Sequence, residues 1–480
     1  VAVNLKEFRG IAADSRDIRP GFLFAALPGT RTDGARFIAD AVARGATAVM
    51  GAPDAAHDAR AHNVVFIADA NPRLRLAQMA AEFYPAQPET IAAVTGTNGK
   101  TSVASFLRQI WTALGEKAAS IGTLGIDSPS GHVALGYTTP DPVRLHSELA
   151  GLKEAGVSHA AMEASSHGLD QYRLDGVKIS AAGFTNITRD HMDYHPDFAH
   201  YFTAKKRLFA DLLPEGGVAV VNADAEHADE VIAAARARHA RVLTVGAAGE
   251  ALRLMLRVPH AHGQELAVRH EGRDYPVQLP LAGEFQASNA LVAAGLAIGL
   301  GADAGKVFAA LEHLKGAPGR LECVAFAKSG AAIYVDYAHT PDAIETILKA
   351  LRPHVTGRLV ILFGCGGDRD RGKRPLMAKA ACQFADVAIL TDDNPRSEDP
   401  AAIRAEAKAG CPSAIEIADR SEAIRTGIQM LEAGDVLVLA GKGHEEGQIV
   451  GKTVLPFSDR LEAVKIARAS GGRAAMEGAP

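Results

Sequence analysis

Cysteine is scarce in this chain of 480 residues. There are four, Cys323, Cys365, Cys382 and Cys411, all in the last third and none spaced as C-x-x-C. That pattern indicates neither a disulfide framework nor a zinc site, and it fits a reducing cytoplasm. Aromatic residues make up 5% with one Trp, too few for a base-stacking platform. The formal net charge of −5 gives no basic footprint for nucleic acid or an anionic membrane surface. Long apolar runs are missing too. The softest stretch, Ala290–Ala302, closes on Asp303 and is too short to cross a bilayer. Val1-Ala-Val-Asn-Leu-Lys-Glu7 has no basic-then-apolar leader pattern, and it lacks Met, so the natural chain can begin before Val1.

What is present is a globular composition, 48% hydrophobic and 22% charged, over a length that suggests roughly three domains. Short β-branched runs alternate with Ala-rich helical stretches, the pattern of α/β layers around parallel strands. Ala46–Met50 and Val64–Ile67 read as strands, Arg36–Arg44 and Arg73–Phe83 as helices. Tyr84-Pro-Ala-Gln-Pro-Glu-Thr90 reads as a linker, and Lys315-Gly-Ala-Pro-Gly-Arg320 as a second break. The expected domains are therefore 1–88, a small α/β domain; 89–317, a P-loop domain on a parallel sheet; and 318–480, a Rossmann-like α/β domain. Residues 252–279 alternate apolar and polar, as an antiparallel insertion would. In the last block, strands are expected at Ile333–Val335, Leu359–Phe363, Val387–Leu390 and Val436–Ala440.

The most telling stretch is Ala93-Val-Thr-Gly-Thr-Asn-Gly-Lys-Thr101. An apolar run enters a Gly-rich turn, and Gly99-Lys100-Thr101-Ser102 opens a helix. Such a layout cradles phosphate: backbone amides and the helix N-terminus face the anion, Lys100 reaches the outer phosphates and Thr101 can ligate Mg²⁺. The loop is shorter than a standard Walker A, because Val94 stands where the upstream glycine belongs. ATP is the expected ligand. Two polar clusters follow neighbouring strand candidates, Glu163 after His159–Met162 and His191 after Ala181–Phe184. A carboxylate and an imidazole at adjacent strand ends can face the cradle as metal ligands.

The motifs TGTNGKTS at 95–102, EASSHGL at 163–169, NITRDHMDYH at 186–195, YFTAKKRLF at 201–209, PGR at 318–320 and VDYAHTPDA at 335–343 stand in order along the chain. Together they resemble the Mur ligase family, three-domain ATP-dependent amide-forming ligases of peptidoglycan precursor synthesis, and the resemblance covers nearly the whole chain. It implies that Gly96, Thr97, Asn98, Gly99, Lys100, Thr101 and Ser102 hold the ATP phosphates. Thr101, Glu163, His191 and a carbamylated Lys205 are then the Mg²⁺ ligands. By residue type alone Lys205 is an ordinary solvated lysine beside Lys206 and Arg207; the resemblance alone assigns it the carbamate. Asn289 is implied on the adenine side, Arg320 on the γ-phosphate, and Asp336 and His339 as further nucleotide contacts. For the UDP-linked substrate the resemblance implies Ser15, Thr30, Arg31, Thr32, Thr138, Thr139, Ser165, Gln171 and Arg173. Hydroxyls with one guanidinium suit a diphosphate- and carboxylate-bearing ligand.

The family divides by the amine it adds. Asp393-Asn394-Pro395-Arg396 is similar to the motif of its meso-diaminopimelate-adding member. Diaminopimelate differs from lysine by a carboxylate at its far end, which a guanidinium binds bidentately. Arg396 and Arg369 suit that carboxylate, and Glu445 with the Gly441 backbone suits the neighbouring ammonium. Lysine would leave the arginines unpaired, a loss worth roughly 10⁴-fold in discrimination. The expected activity is addition of meso-diaminopimelate to UDP-N-acetylmuramoyl-L-alanyl-D-glutamate with ATP and Mg²⁺, by a cytoplasmic monomer without a membrane span. The alternatives are a lysine-adding ligase of the same family, folylpoly-γ-glutamate synthetase and a non-ligase P-loop NTPase.

Overall fold

Thr90–Thr95 is buried along all but its first residue, as a central parallel strand flanked on both faces must be. The computed structural model that contains it describes residues 4–29 and 32–475, so Thr30 and Arg31 of the expected substrate loop lie outside the described residues. The backbone gathers into two compact units, Val1–Thr244 with Gly295–Ala302, and Val245–Ala294 with Asp303–Pro480.

The first unit opens with a parallel sheet of β1 (Gly10–Ala12), β2 (Phe22–Ala26), β3 (Ala46–Gly51) and β4 (Val65–Ala68), paired in chain order. The helix expected over Arg36–Arg44 divides into a 3-10 turn, Gly34–Phe37, and an α-helix, Ile38–Ala43, because the Asp33 carboxylate caps Ala35 N and tightens the first turn. Helix Pro72–Phe83 starts on an Asn71 cap with Pro72 in the first turn, and buries Leu76, Ala77, Met79 and Ala80.

The larger sheet of this unit contains β5 (Thr90–Thr95), β6 (Ala118–Gly122), β7 (Gly125–Ser128), β8 (Gly131–Val133), β9 (His159–Glu163), β10 (Ala181–Phe184), β11 (Val218–Asn222) and β12 (Arg241–Gly246). Their spatial order is β8-β7-β6-β9-β5-β10-β11-β12. From β6 to β11 the neighbours are parallel, but β7 and β8 run back antiparallel. The expected parallel sheet is therefore mixed: the Thr123-Leu124 turn folds β7 directly onto β6 instead of crossing over through a helix. β5 lies between β9 and β10 with Val94 opposite Glu163 and Thr95 opposite Phe184, so the three strand ends that carry the polar clusters are neighbours.

The second unit begins with the antiparallel meander that the alternation implied, β13 (Leu252–His260), β14 (Gly263–His270) and β15 (Arg273–Leu279). Its main sheet holds β16 (Glu322–Phe326), β17 (Ala332–Asp336), β18 (Leu359–Phe363), β19 (Val387–Leu390), β20 (Ile415–Glu416), β21 (Val436–Ala440) and, after the hairpin β22 (Gly447–Val450) and β23 (Thr453–Pro456), the edge strand β24 (Arg473–Ala474). The order is β20-β19-β18-β21-β17-β16-β24, parallel except that β16 runs antiparallel to both of its neighbours, β17 and β24. This is the doubly wound layer with an antiparallel edge.

A buried ion pair holds the site end of this sheet. Arg420 and Asp459 are both fully buried and meet bidentately at 2.7 Å, and Arg420 also donates to Ala440 O at the end of β21. Arg420→Met leaves the Asp459 carboxylate unpaired; an expected loss of about 3–5 kcal/mol is read as a lower urea midpoint. The cysteine spacing indicates no disulfide framework, yet at the other end of the sheet Cys382 and Cys411, with Cα atoms 6.0 Å apart, form a single disulfide. Packing of helix Lys373–Phe384 against helix Pro400–Lys408 brings them together, which linear spacing does not reveal. Among the described residues no helix is long and apolar enough to cross a membrane.

Candidate active site

The Gly-rich turn leaves β5 and is seated on residues from the end of β10. Thr97 N donates to Asn186 O at 2.9 Å, and Asn98 N to Asn186 Oδ1 at 3.0 Å. Thr185 Oγ1 donates to Asn98 O at 2.6 Å, while Thr97 Oγ1 bonds both Thr188 O at 3.1 Å and Tyr201 Oη at 2.9 Å. The amides of Thr97 and Asn98 are thus used inside the protein. Gly96 has φ of 150°, and a Cβ there would stand 1.9 Å from Thr185 Oγ1, so a glycine is required. The helix Lys100–Ala113 starts from Gly99, placing Thr101 and Ser102 in its first turn, where helix amides look outward. Lys100 Nζ donates to Gly96 O and Thr97 O at 2.8 Å each.

Lys205 is where residue type alone misleads. It is 1% exposed, and its Nζ donates to Gly96 O at 2.6 Å, inside the cradle. Burial, reinforced by the Lys100 charge, pushes its ammonium well below the usual lysine range. Glu163 is also buried; Oε1 accepts from Thr123 N at 2.8 Å and Oε2 from Thr123 Oγ1 at 3.2 Å. His191 is 45% exposed at its side chain, in the left-handed region at φ of 56°, with its ring 4.9 Å from that of His167. Behind it, burial holds His195 down at about 4, and its Nδ1 meets His200 Nδ1 at 2.9 Å. Among the described residues no three His, Cys, Asp or Glu side chains converge as a metal cluster.

Thr138, Thr139, Ser165, Gln171 and Arg173 are brought together. Thr138 Oγ1 meets Thr123 Oγ1 at 2.9 Å, which links it to Glu163. Thr139 Oγ1 donates to Glu163 O and accepts from Ser165 N, and Ser165 Oγ caps Gly168 N. Arg173 donates to Thr139 O at 2.6 Å and to Gln171 Oε1 at 2.7 Å. Gln171 and Arg173 line a cavity of about 210 Å³ together with Arg73, Tyr137 and Asp141. Ser15 is buried and does not line this cavity; Thr32 is exposed.

In the second unit the nucleotide candidates form a chain. Asn289 Nδ2 donates to Gln286 Oε1 at 3.3 Å, and Gln286 Nε2 to Arg320 O at 3.0 Å. The Arg320 guanidinium lies 5.1 Å from the Tyr337 ring centre. Asp336 spends both oxygens on Leu321 N and Ala338 N, each at 2.7 Å, and burial raises its carboxyl. It therefore fixes the loop that carries His339, whose Nδ1 contacts Tyr337 O at 2.9 Å.

The amino-acid candidates converge on the ends of β18, β19 and β21. Arg396 has φ of 51° and donates from Nη1 to Gly367 O at 2.7 Å; Arg369 flanks the same turn at Gly366. The hairpin holds the motif from the side: Gln448 Nε2 donates to Asp393 O at 2.7 Å, Arg396 N to Ile449 O at 3.0 Å and Gly451 N to Arg396 O at 2.7 Å. Pro395 follows Asn394, whose Nδ2 donates to Glu445 Oε2 at 3.0 Å. At Gly441, with φ of 110°, an added Cβ would come within 2.8 Å of Asp393 Oδ2.

Sequence reasoning missed Thr185, Asn186, Thr188 and Tyr201 behind the cradle, Thr123 on Glu163, Arg73 at the cavity, and Gln448 and Lys442 beside Asp393–Arg396. The polar Thr-Asn-Ile-Thr run leaving β10 was a usable signal; the others depend on contacts across long sequence distances.

Three family descriptions match the chain: "Mur ligase family, catalytic domain" at residues 7–84, "Mur ligase middle domain" at 94–297, and "Mur ligase, glutamate ligase domain" at 319–443. The chain is 59% identical to the UDP-N-acetylmuramoyl-L-alanyl-D-glutamate--2,6-diaminopimelate ligase of Bradyrhizobium diazoefficiens, over 98% of this chain and 96% of that protein. It is 56% identical to the ligase of the same name from Rhizobium meliloti, covering 96% and 94%. A solved structure of a ligase of that name superposes with a TM-score of 0.74 at 34% identity, covering 97% of this chain and 95% of that one.

Proposed function

Because the chain belongs to the Mur ligase family, we propose that it joins meso-2,6-diaminopimelate to UDP-N-acetylmuramoyl-L-alanyl-D-glutamate, driven by ATP, in peptidoglycan synthesis. What carries this reading is the 59% identity to a ligase of that name across 98% of the chain. ATP phosphorylates the γ-carboxylate of the D-glutamate; the diaminopimelate amine attacks the acyl phosphate; phosphate leaves the tetrahedral intermediate.

Positioning and charge neutralisation are what the protein supplies to such a reaction. The Gly96–Ser102 loop orients the phosphates, and Lys100 swings from Gly96 O and Thr97 O to the transferring group. Thr138, Thr139, Ser165, Gln171 and Arg173 hold the UDP-linked dipeptide, with Ser15, Thr30, Arg31 and Thr32 toward the uridine. The nucleotide residues of the second unit are Asn289, Arg320, Asp336 and His339. Arg396 and Arg369 take the distal carboxylate of diaminopimelate, and Glu445 with the Gly441 backbone its distal ammonium; Asp393, Asn394 and Pro395 complete the segment that binds the amino acid.

The donor chemistry fits Mg²⁺. Glu163 offers carboxylate oxygens and Thr101 a hydroxyl, the hard donors this ion takes. Lys205 is buried and driven toward its neutral amine, the form that adds CO₂ with release of one proton. The resulting carbamate is a further anionic oxygen donor, and His191 completes the set. The ion, when bound, offsets the charge of the phosphoryl group and the carboxylate that receives it.

We place domain boundaries near residues 88 and 318, a division supported by the matched ranges 7–84, 94–297 and 319–443. ATP and a UDP-linked sugar are cytoplasmic metabolites, which supports that compartment, and a monomer suffices because the residues above come from one chain. The test is ADP release. It is expected to require both the UDP-linked dipeptide and diaminopimelate, whereas hydrolysis indifferent to both would contradict the ligase reading.

A further inference from the structure

Lys442 is fully buried, a place where an ammonium is retained only with partners. Its Nζ donates to Asn394 Oδ1 at 3.1 Å and stands 3.5 Å from Glu445 Oε2. Asn394 is tied on both ends of its amide. Oδ1 accepts from Lys442 and from Ile449 N at 2.9 Å, and Nδ2 donates to Glu445 Oε2 at 3.0 Å. With an ammonium and a backbone N–H both pointing at one end, that end must be the oxygen, which fixes the NH₂ toward Glu445. Lys442 therefore orients Asn394, and Asn394 with Lys442 occupies one oxygen of Glu445. The other oxygen is left for a ligand cation.

We propose that Lys442 is a positioning residue for the distal ammonium of diaminopimelate: acting through Asn394, it sets the Glu445 carboxylate that receives that ammonium. The proposal rests on the role given to Glu445 above and extends it to a residue that does not touch the substrate. The Coulomb effect alone points the other way, since a cation 3.5 Å from Glu445 weakens its hold on a second cation. Orientation is the contribution that favours binding, and it is specific to the group that Glu445 binds.

That specificity gives the test. Kinetics are measured with meso-diaminopimelate and with 2-aminopimelate, which keeps the reacting amine and both carboxylates but lacks the distal amine. Lys442→Met is expected to raise KM for diaminopimelate roughly tenfold to a hundredfold, the scale of a charge-assisted hydrogen bond. KM for 2-aminopimelate, ATP and the UDP-linked dipeptide should stay within about twofold, and kcat at saturating diaminopimelate near wild type. An equal rise for both amines, or no rise for diaminopimelate, overturns the proposal. Should Lys442→Met fail to fold, Lys442→Gln keeps a donor, one bond shorter and without the charge, and the same selective rise, smaller in size, is expected. Glu445→Gln separates the two layers of the argument. If it raises KM selectively for diaminopimelate while the Lys442 variants do not, the proposal fails and the role of Glu445 stands. If it leaves the ratio of the two substrates unchanged, the role of Glu445 fails as well.

Discussion

Lys205→Ala is expected to lower amide formation about 10³-fold in kcat, the scale of losing electrostatic stabilisation at a transferring group. ATP binding should change little, because Gly96–Ser102 and Lys100 remain. The size of the effect follows from where the side chain sits. The residue is 1% exposed and its amine lies 2.6 Å from Gly96 O, so it belongs to the phosphate cradle itself. Burial and Lys100 both favour the neutral amine, the form that the proposed carbamylation by CO₂ requires. Removing the side chain would remove the oxygen donor proposed for it and leave a cavity. Formate at high concentration should then recover part of the rate, since it returns a carboxylate to the same place. A carbamate carbon signal from labelled CO₂ should be present in the parent protein and missing in the variant. Full activity of Lys205→Ala in CO₂-depleted buffer would remove the carbamate from the account.

Arg396→Ala is expected to lower kcat/KM for diaminopimelate about a hundredfold, the cost of losing a bidentate, charge-assisted pair. KM for ATP should be unaffected. The backbone of Arg396 is left-handed, a conformation that a non-glycine residue adopts at some cost. It is held there by Ile449 O and Gly451 N, so the hairpin aims the guanidinium instead of merely packing beside it. Arg396→Lys should not restore the rate, because an ammonium cannot fork onto a carboxylate. Steady-state kinetics with each co-substrate varied in turn decide the matter; equal losses for ATP and diaminopimelate would mean that the substitution damages the fold and not the recognition.

The parts of this molecule legible in the sequence are those written in local chemistry. β5 and its turn are legible because a continuously apolar run followed by glycines and Lys-Thr has few other outcomes. Glu163 was legible as a strand-end carboxylate for the same reason, and the alternation over residues 252–279 announced the meander of β13, β14 and β15. What residue type hid was set by contacts distant in the chain. Lys205 looks solvated beside Lys206 and Arg207, yet its helix, Phe198–Arg207, turns it onto a loop 109 residues away. Lys442 looks like a loop lysine, and its burial depends on Asn394, 48 residues earlier. The antiparallel β7 was hidden because the Thr123-Leu124 turn carries no hairpin dipeptide of the Asn-Gly kind. Cys382 and Cys411 pair across 29 residues without any spacing motif.

The central claim is that the residues around Asp393–Arg396 choose the amine that an ATP-activated carboxylate receives. ADP release across diaminopimelate, lysine and glutamate, each with the UDP-linked dipeptide present, tests it most directly. The account predicts release with diaminopimelate and a rate with lysine lower by roughly 10⁴-fold in kcat/KM. Lysine or glutamate competing on equal terms with diaminopimelate would contradict it.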